Sequence, residues 1–154
     1  MSIATEDSRL EIGHVLFIDI VGYSRRFVNE QTALIQRLNN LVRASEQFRK
    51  AEAAGKLITI PTGDGMALVF FTTPDTPVRC AIEINKADQE DPRIELRMGI
   101  HSGPVDRVAD VNARTNIAGA GINTAQRVMD CGDSGHILLS QRVAEDLAQY
   151  ASWQ

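Results

Sequence analysis

Cysteine is scarce in this chain of 154 residues: Cys80 and Cys131 are the only two, far apart and with no CxxC pairing. That excludes a disulfide-stapled scaffold and a cysteine-rich metal centre, and it fits two buried thiols in a reducing compartment. Histidine is equally sparse, and His14, His101 and His136 do not cluster into a ligand set. No apolar run approaches the roughly 18 residues of a membrane span, and an N-terminus carrying Glu6, Asp7 and Glu11 is not a signal peptide. These absences point to a cytoplasmic protein with no direct membrane insertion. Excess positive charge is lacking too. The net charge of −4 gives no general attraction to nucleic acid, although it leaves room for a local basic pocket. What is present, 44% apolar and 23% charged residues, describes one globular domain able to bury a core unaided.

Residues 1–13 read as a polar lead-in and residues 14–154 as the domain. The first strand is expected at residues 15–19. Over residues 29–53, Leu34, Leu38, Leu41, Ser45 and Phe48 recur every three or four positions against a charged face, predicting one amphipathic helix ended by Gly55. Residues 57–60 and 66–71 form a hairpin around Gly63-Asp64-Gly65. Thr76 and Pro77 supply a cap and a first-turn proline for a helix reaching about Asp88. Leu96, Met98 and Ile100 alternate with Glu95, Arg97 and Gly99 as a strand. This βαββαβ order predicts an α+β fold with a ferredoxin-like palm, an antiparallel sheet carrying two helices on one face. Additional C-terminal elements follow: a strand at 105–110, an Asn-rich crossover, a helix at 120–130, a strand at 136–139, and a final helix capped by Ser140.

Two aspartates stand out. Asp19 closes the apolar run Val15-Leu16-Phe17-Ile18, and Asp64 sits between two glycines just before another apolar run. Carboxylates at strand mouths, beside backbone tight enough to need glycine, suit a divalent-metal phosphate site. Either motif alone is equally an Asp-Gly turn. Downstream, Asn123 and Arg127 lie four apart on one helix face, where an amide and a fixed cation can hold a ribose and a transferring phosphoryl group. Taken singly, Asn123 is as readily a helix cap and Arg127 a surface residue.

In combination these residues resemble the catalytic domain of the class III adenylyl/guanylyl cyclase family. Residues 17–24, 62–70, 96–105 and 119–128, with the later 135–140, carry the match in the family's order and spacing. The resemblance implies that Asp19, Asp64 and the carbonyl of Ile20 hold two Mg²⁺ or Mn²⁺ ions per site. Amides from Val21, Gly22, Tyr23 and Ser24 would cradle the β- and γ-phosphates, Asn123 would position the ribose, and Arg127 would meet charge on the α-phosphate. The product would be a 3′,5′-cyclic nucleotide made from a nucleoside triphosphate, ATP or GTP first among the candidates. In this family the two halves of the site come from opposite partners of a head-to-tail homodimer.

The sequence also departs from the family's pattern. Ile60 and Asn116 occupy the positions where adenylyl members read the base with Lys and with Asp or Thr. Ile60 offers shape without a hydrogen bond, while Asn116 offers both a donor and an acceptor, which leaves base choice open. The family's C-terminal strands, with a phosphate-contacting Lys, have no counterpart before Gln154. These departures sustain a rival reading, in which the domain binds nucleotide or dimerises as a regulatory module for a fused or partner effector.

Overall fold

The computed structural model describes residues 8–90, 93–109 and 115–153. Its elements run β1 (Ser8–Ile20), α1 (Val28–Arg43), α2 (Glu46–Ala53), β2 (Leu57–Pro61), β3 (Gly65–Phe70), α3 (Thr76–Ala87), β4 (Leu96–Ala109), β5 (Thr115–Ala118), α4 (Ala120–Asp130), β6 (Ile137–Leu139) and α5 (Gln141–Ala148). The six strands form one sheet in the order β2-β3-β1-β4-β5, with β6 parallel to β4. The first four of these strands with their helices are the expected α+β ferredoxin-like palm. No helix among the described residues is long and apolar enough to cross a membrane.

Side-chain alternation divides the core between the two sheet faces. Leu16, Ile18 and Ile20 of β1 point to one face, where α1, α2, α3 and α5 contribute Leu38, Phe48, Ile84 and Leu147. Val15 and Phe17 point to the other, where α4 contributes Ala125 and Met129. All of β3 is buried because both of its faces are covered. The approach of α4 is close. A Cβ on Gly99 would overlap the backbone nitrogen of Met129, so only glycine lets the helix lie this near β4.

Several boundaries differ from the sequence expectations. The first strand begins at Ser8, because β4 supplies a partner for every residue from Ser8 to Ile20. The strands expected at 96–100 and 105–110 are one continuous β4, in which Gly103 and Pro104 pair with Gly13 and Ile12. β5, within the expected polar crossover, pairs with residues 106–109 of β4. The single helix expected over residues 29–53 is two. Ser45, counted as an apolar position, is instead the extended N-cap of α2: its hydroxyl accepts from the Phe48 amide and donates to Glu83 at 2.6 Å. At α3 the cap position is Asp75 and Thr76 is the first helical residue. Cys80 is buried as expected, whereas Cys131 is exposed just beyond the end of α4.

One histidine ties the last helix to the sheet, and a second bridges β1 and β4. Ser140 caps α5 by accepting from the Val143 amide, and its hydroxyl also bonds His101 Nδ1 at 2.8 Å. His14 bonds Ser102 at 2.7 Å. Burial lowers the pKa of both imidazoles. Arg142 of α5 opposes their protonation, while Asp146 and Asp75 partly counter this at His14.

Candidate active site

β1 and β3 are antiparallel neighbours with Asp19 opposite Gly65, and the Ile20 amide donates to the Asp64 carbonyl at 2.8 Å. That register sets the two carboxylates side by side at the mouth of the sheet. Gly65 is required here, since a Cβ would overlap the Ile18 carbonyl oxygen and push β3 away. Asp19 is buried and Asp64 partly so. Both line a cleft of about 310 Å³ together with Ile20, Val21, Gly22, Tyr23, Ser24, Arg25, Arg97, Asp133 and Ser134. This is the small end of ligand-pocket sizes.

The turn after β1 is a short 3₁₀ turn, Tyr23–Arg25, and α1 starts only at Val28. The Val21 amide is already committed to the Glu95 carbonyl at 2.8 Å. Any anion cradle here therefore narrows to the amides of Gly22, Tyr23 and Ser24, supplied by turn geometry and not by the end of a long helix. Tyr23 packs its ring against the core, whereas Phe27 is 76% exposed.

Arg97 is the member of the site that sequence reasoning missed. Its Nη2 and Nε donate to the two Asp19 oxygens at 2.9 and 3.2 Å, a bidentate pair, and Nη2 lies 3.7 Å from Asp130. The only signal was register: once β1 and β4 are known to pair, Arg97 falls opposite Asp19. Asp133 and Ser134, in the turn after α4, were likewise read only as a turn.

The electrostatics suit an added cation. Burial raises the Asp64 carboxyl above its ordinary pKa, the Asp19 charge raises it further, and Arg97 only partly opposes this. Hydrogen bonds to Asp19 hold Arg97 even more firmly charged. Two carboxylates and the Ile20 carbonyl are hard oxygen donors of the kind Mg²⁺ and Mn²⁺ prefer, and Arg97 stands on Asp19 as a substitute cation. No group of three or more His, Cys, Asp or Glu side chains that could hold a metal occurs among the described residues. The donor set accordingly fits an ion whose other positions are filled by water or phosphate oxygens.

Asn123 and Arg127 are both exposed on α4, and neither lines this cleft. Ile60 is half-buried on the α4 side of the sheet, packed against the cluster of Val15, Phe17 and Ala67. Asn116 lies in β5 opposite Val108, and its side chain is outside the described ones. One copy of the chain thus brings together Asp19, Ile20, Asp64 and the 21–24 turn, and leaves the Asn/Arg pair outside. A smaller cleft of about 160 Å³ beside α3 and Trp153 holds one charged pair, Asp75 and Arg79, which is closed on itself at 2.8 Å.

Residues 7–153 match the family described as the adenylate and guanylate cyclase catalytic domain, and the chain belongs to that family. A comparison with curated proteins finds no match. Among solved structures, the guanylate cyclase domain of RhGC from Catenaria anguillulae in complex with GTP is 26% identical with a TM-score of 0.70, covering 90% of this chain and 84% of its own. An adenylate/guanylate cyclase/hydrolase from Silicibacter pomeroyi is 26% identical with a TM-score of 0.67, covering 92% and 83%. The catalytic core of a rhodopsin-guanylyl cyclase with converted specificity, in complex with ATPalphaS, is 26% identical with a TM-score of 0.71, covering 92% and 84%.

Proposed function

We propose that this member of the adenylate and guanylate cyclase catalytic-domain family is a metal-dependent nucleotidyl cyclase, acting as a head-to-tail homodimer on ATP or GTP. The observation that carries this reading is the side-by-side pair Asp19 and Asp64 in a cleft bordered by the Gly22–Ser24 amides, with Asn123 and Arg127 exposed outside it.

In the proposed reaction the ribose 3′-oxygen attacks the α-phosphorus. The O3′–P bond forms, the bond from the α-phosphorus to the bridging oxygen breaks, pyrophosphate leaves, and the 3′-hydroxyl proton is released. Two bound Mg²⁺ or Mn²⁺ ions would supply acidification of that hydroxyl and charge neutralisation on the triphosphate. Asp19, Asp64 and the Ile20 carbonyl would hold them. The amides of Gly22, Tyr23 and Ser24 donate to terminal phosphate oxygens, and Arg97 and Arg25 add positive charge along the same wall. From the partner copy, Asn123 orients the ribose and Arg127 meets the charge that builds on the α-phosphate.

Ile60, an apolar side chain at a base-reading position, favours the second reading of a nucleotide-binding regulatory module. One experiment separates the two. The protein is incubated with Mn²⁺ and each of ATP, GTP, CTP and UTP, and the products are resolved by mass spectrometry. A 3′,5′-cyclic nucleotide with stoichiometric pyrophosphate supports the cyclase. Nucleotide binding with no cyclic product supports the regulatory module.

A further inference from the structure

Arg97 stands among three carboxylates, and its side-chain hydrogen bonds go to Asp19 alone among them. Its bidentate bonds go to Asp19, which is buried, and Asp64 lies near both in the turn before β3. The third carboxylate, Asp130, ends α4 with its side chain 53% exposed and lies 3.7 Å from the same Nη2 that bonds Asp19. Its place is fixed, because α4 is seated on Gly99, two residues along β4 from Arg97.

A cation entering the Asp19 carboxylate must contend with this guanidinium. Two positive groups on one carboxylate repel each other, and Arg97, partly buried, is better held by another acceptor than left without one. Asp130, already 3.7 Å from the same nitrogen, is the acceptor next to hand. We propose that Asp130 is a positioning residue for cation entry: Arg97 guards Asp19 in the metal-free chain and moves onto Asp130 when a divalent cation takes Asp19. The inference rests on the proposed metal site and concerns the step before nucleotide arrives. It makes metal affinity a competition between an internal and an external cation, set in part by a residue that touches neither metal nor substrate.

The test is a Mn²⁺ titration of the full chain without nucleotide, followed by the electron paramagnetic resonance signal of the free ion. Arg97→Gln should tighten Mn²⁺ about tenfold, as expected on removing a charged bidentate competitor. Asp130→Asn should weaken it about two- to fivefold, the range of a partly exposed ion pair. Asp130→Glu should restore wild-type affinity. In the Arg97→Gln background, Asp130→Asn should have almost no effect, since no guanidinium remains to be received. Equal losses from Asp130→Asn in both backgrounds would reduce Asp130 to a simple through-space attraction and overturn the proposal. Unshifted binding in Asp130→Asn would overturn it as well. Failure of every variant to bind Mn²⁺, Arg97→Gln included, would instead overturn the metal site on which it rests.

Discussion

Asp19 and Asp64 are held differently, so their substitutions should part company in stability while agreeing in activity. Either Asp→Ala change should abolish cyclisation through kcat, because the ions they are proposed to hold would act on charge formed during transfer. Asp19→Ala also removes the bidentate acceptor of Arg97, leaving it the more exposed Asp130, and should cost about 1–3 kcal/mol, read as a lowered Tm. Asp64→Ala removes a carboxylate that burial and Asp19 already disfavour, so Tm should hold or rise. Near-full turnover in Asp64→Ala would contradict the two-carboxylate site. The base positions allow a second test. With Ile60 unable to hydrogen-bond, wild-type kcat/KM for ATP and GTP should differ by no more than about 1–3 kcal/mol. Ile60→Lys with Asn116→Asp should shift the preference toward ATP, and an unchanged ratio would mean that these two residues do not face the base.

Among the elements, α4 and α5 make the strongest demands. Gly99→Ala should destabilise by about 1–3 kcal/mol or more, since the Cβ meets helix backbone instead of a movable side chain. It should also cut activity by displacing Asn123 and Arg127 along with α4. His101, which ties α5 to β4, and His14, which bonds Ser102 between β1 and β4, have depressed pKa values, so the folded state takes up their protons less readily than the unfolded chain. Their contribution is therefore intact above the unfolded value of about 6.5 and is lost as pH falls through the folded values. Tm should drop between pH 7.5 and 5, and the drop should shrink in His14→Gln. An equal drop in that variant would assign the effect elsewhere. Helix and strand identities were largely legible because apolar periodicity tracks burial, as in α4, whose expected span of 120–130 is the one observed. The break before α2 was not. Ser45 falls on the apolar repeat, and its structural role comes from Glu83, 38 residues away in sequence. The placement of Asp19 and Asp64 at strand mouths was legible because Asp19 ends one apolar run and Asp64 precedes another, each close to a glycine turn. Arg97 was not, because only cross-strand register brings it to Asp19.

For the whole molecule, the decisive fact is separation: Asp19 and Asp64 line the cleft, and Asn123 and Arg127 stand exposed on α4 outside it. Under the proposed reading, a complete site needs two copies, each lending the half that the other lacks. Asp19→Ala and Arg127→Ala should each be inactive alone, for different reasons on different surfaces. In a mixed dimer, one site carries both lesions and the other carries none. Random pairing makes half of the dimers mixed, each with one of two sites intact, so about a quarter of wild-type activity is the ceiling. The most direct measurement is cyclic-nucleotide formation by the two inactive variants, assayed separately and after mixing, with subunit exchange confirmed by a mass-labelled copy. Recovery toward that quarter is the expected result. No recovery despite demonstrated exchange would contradict a site shared between two chains.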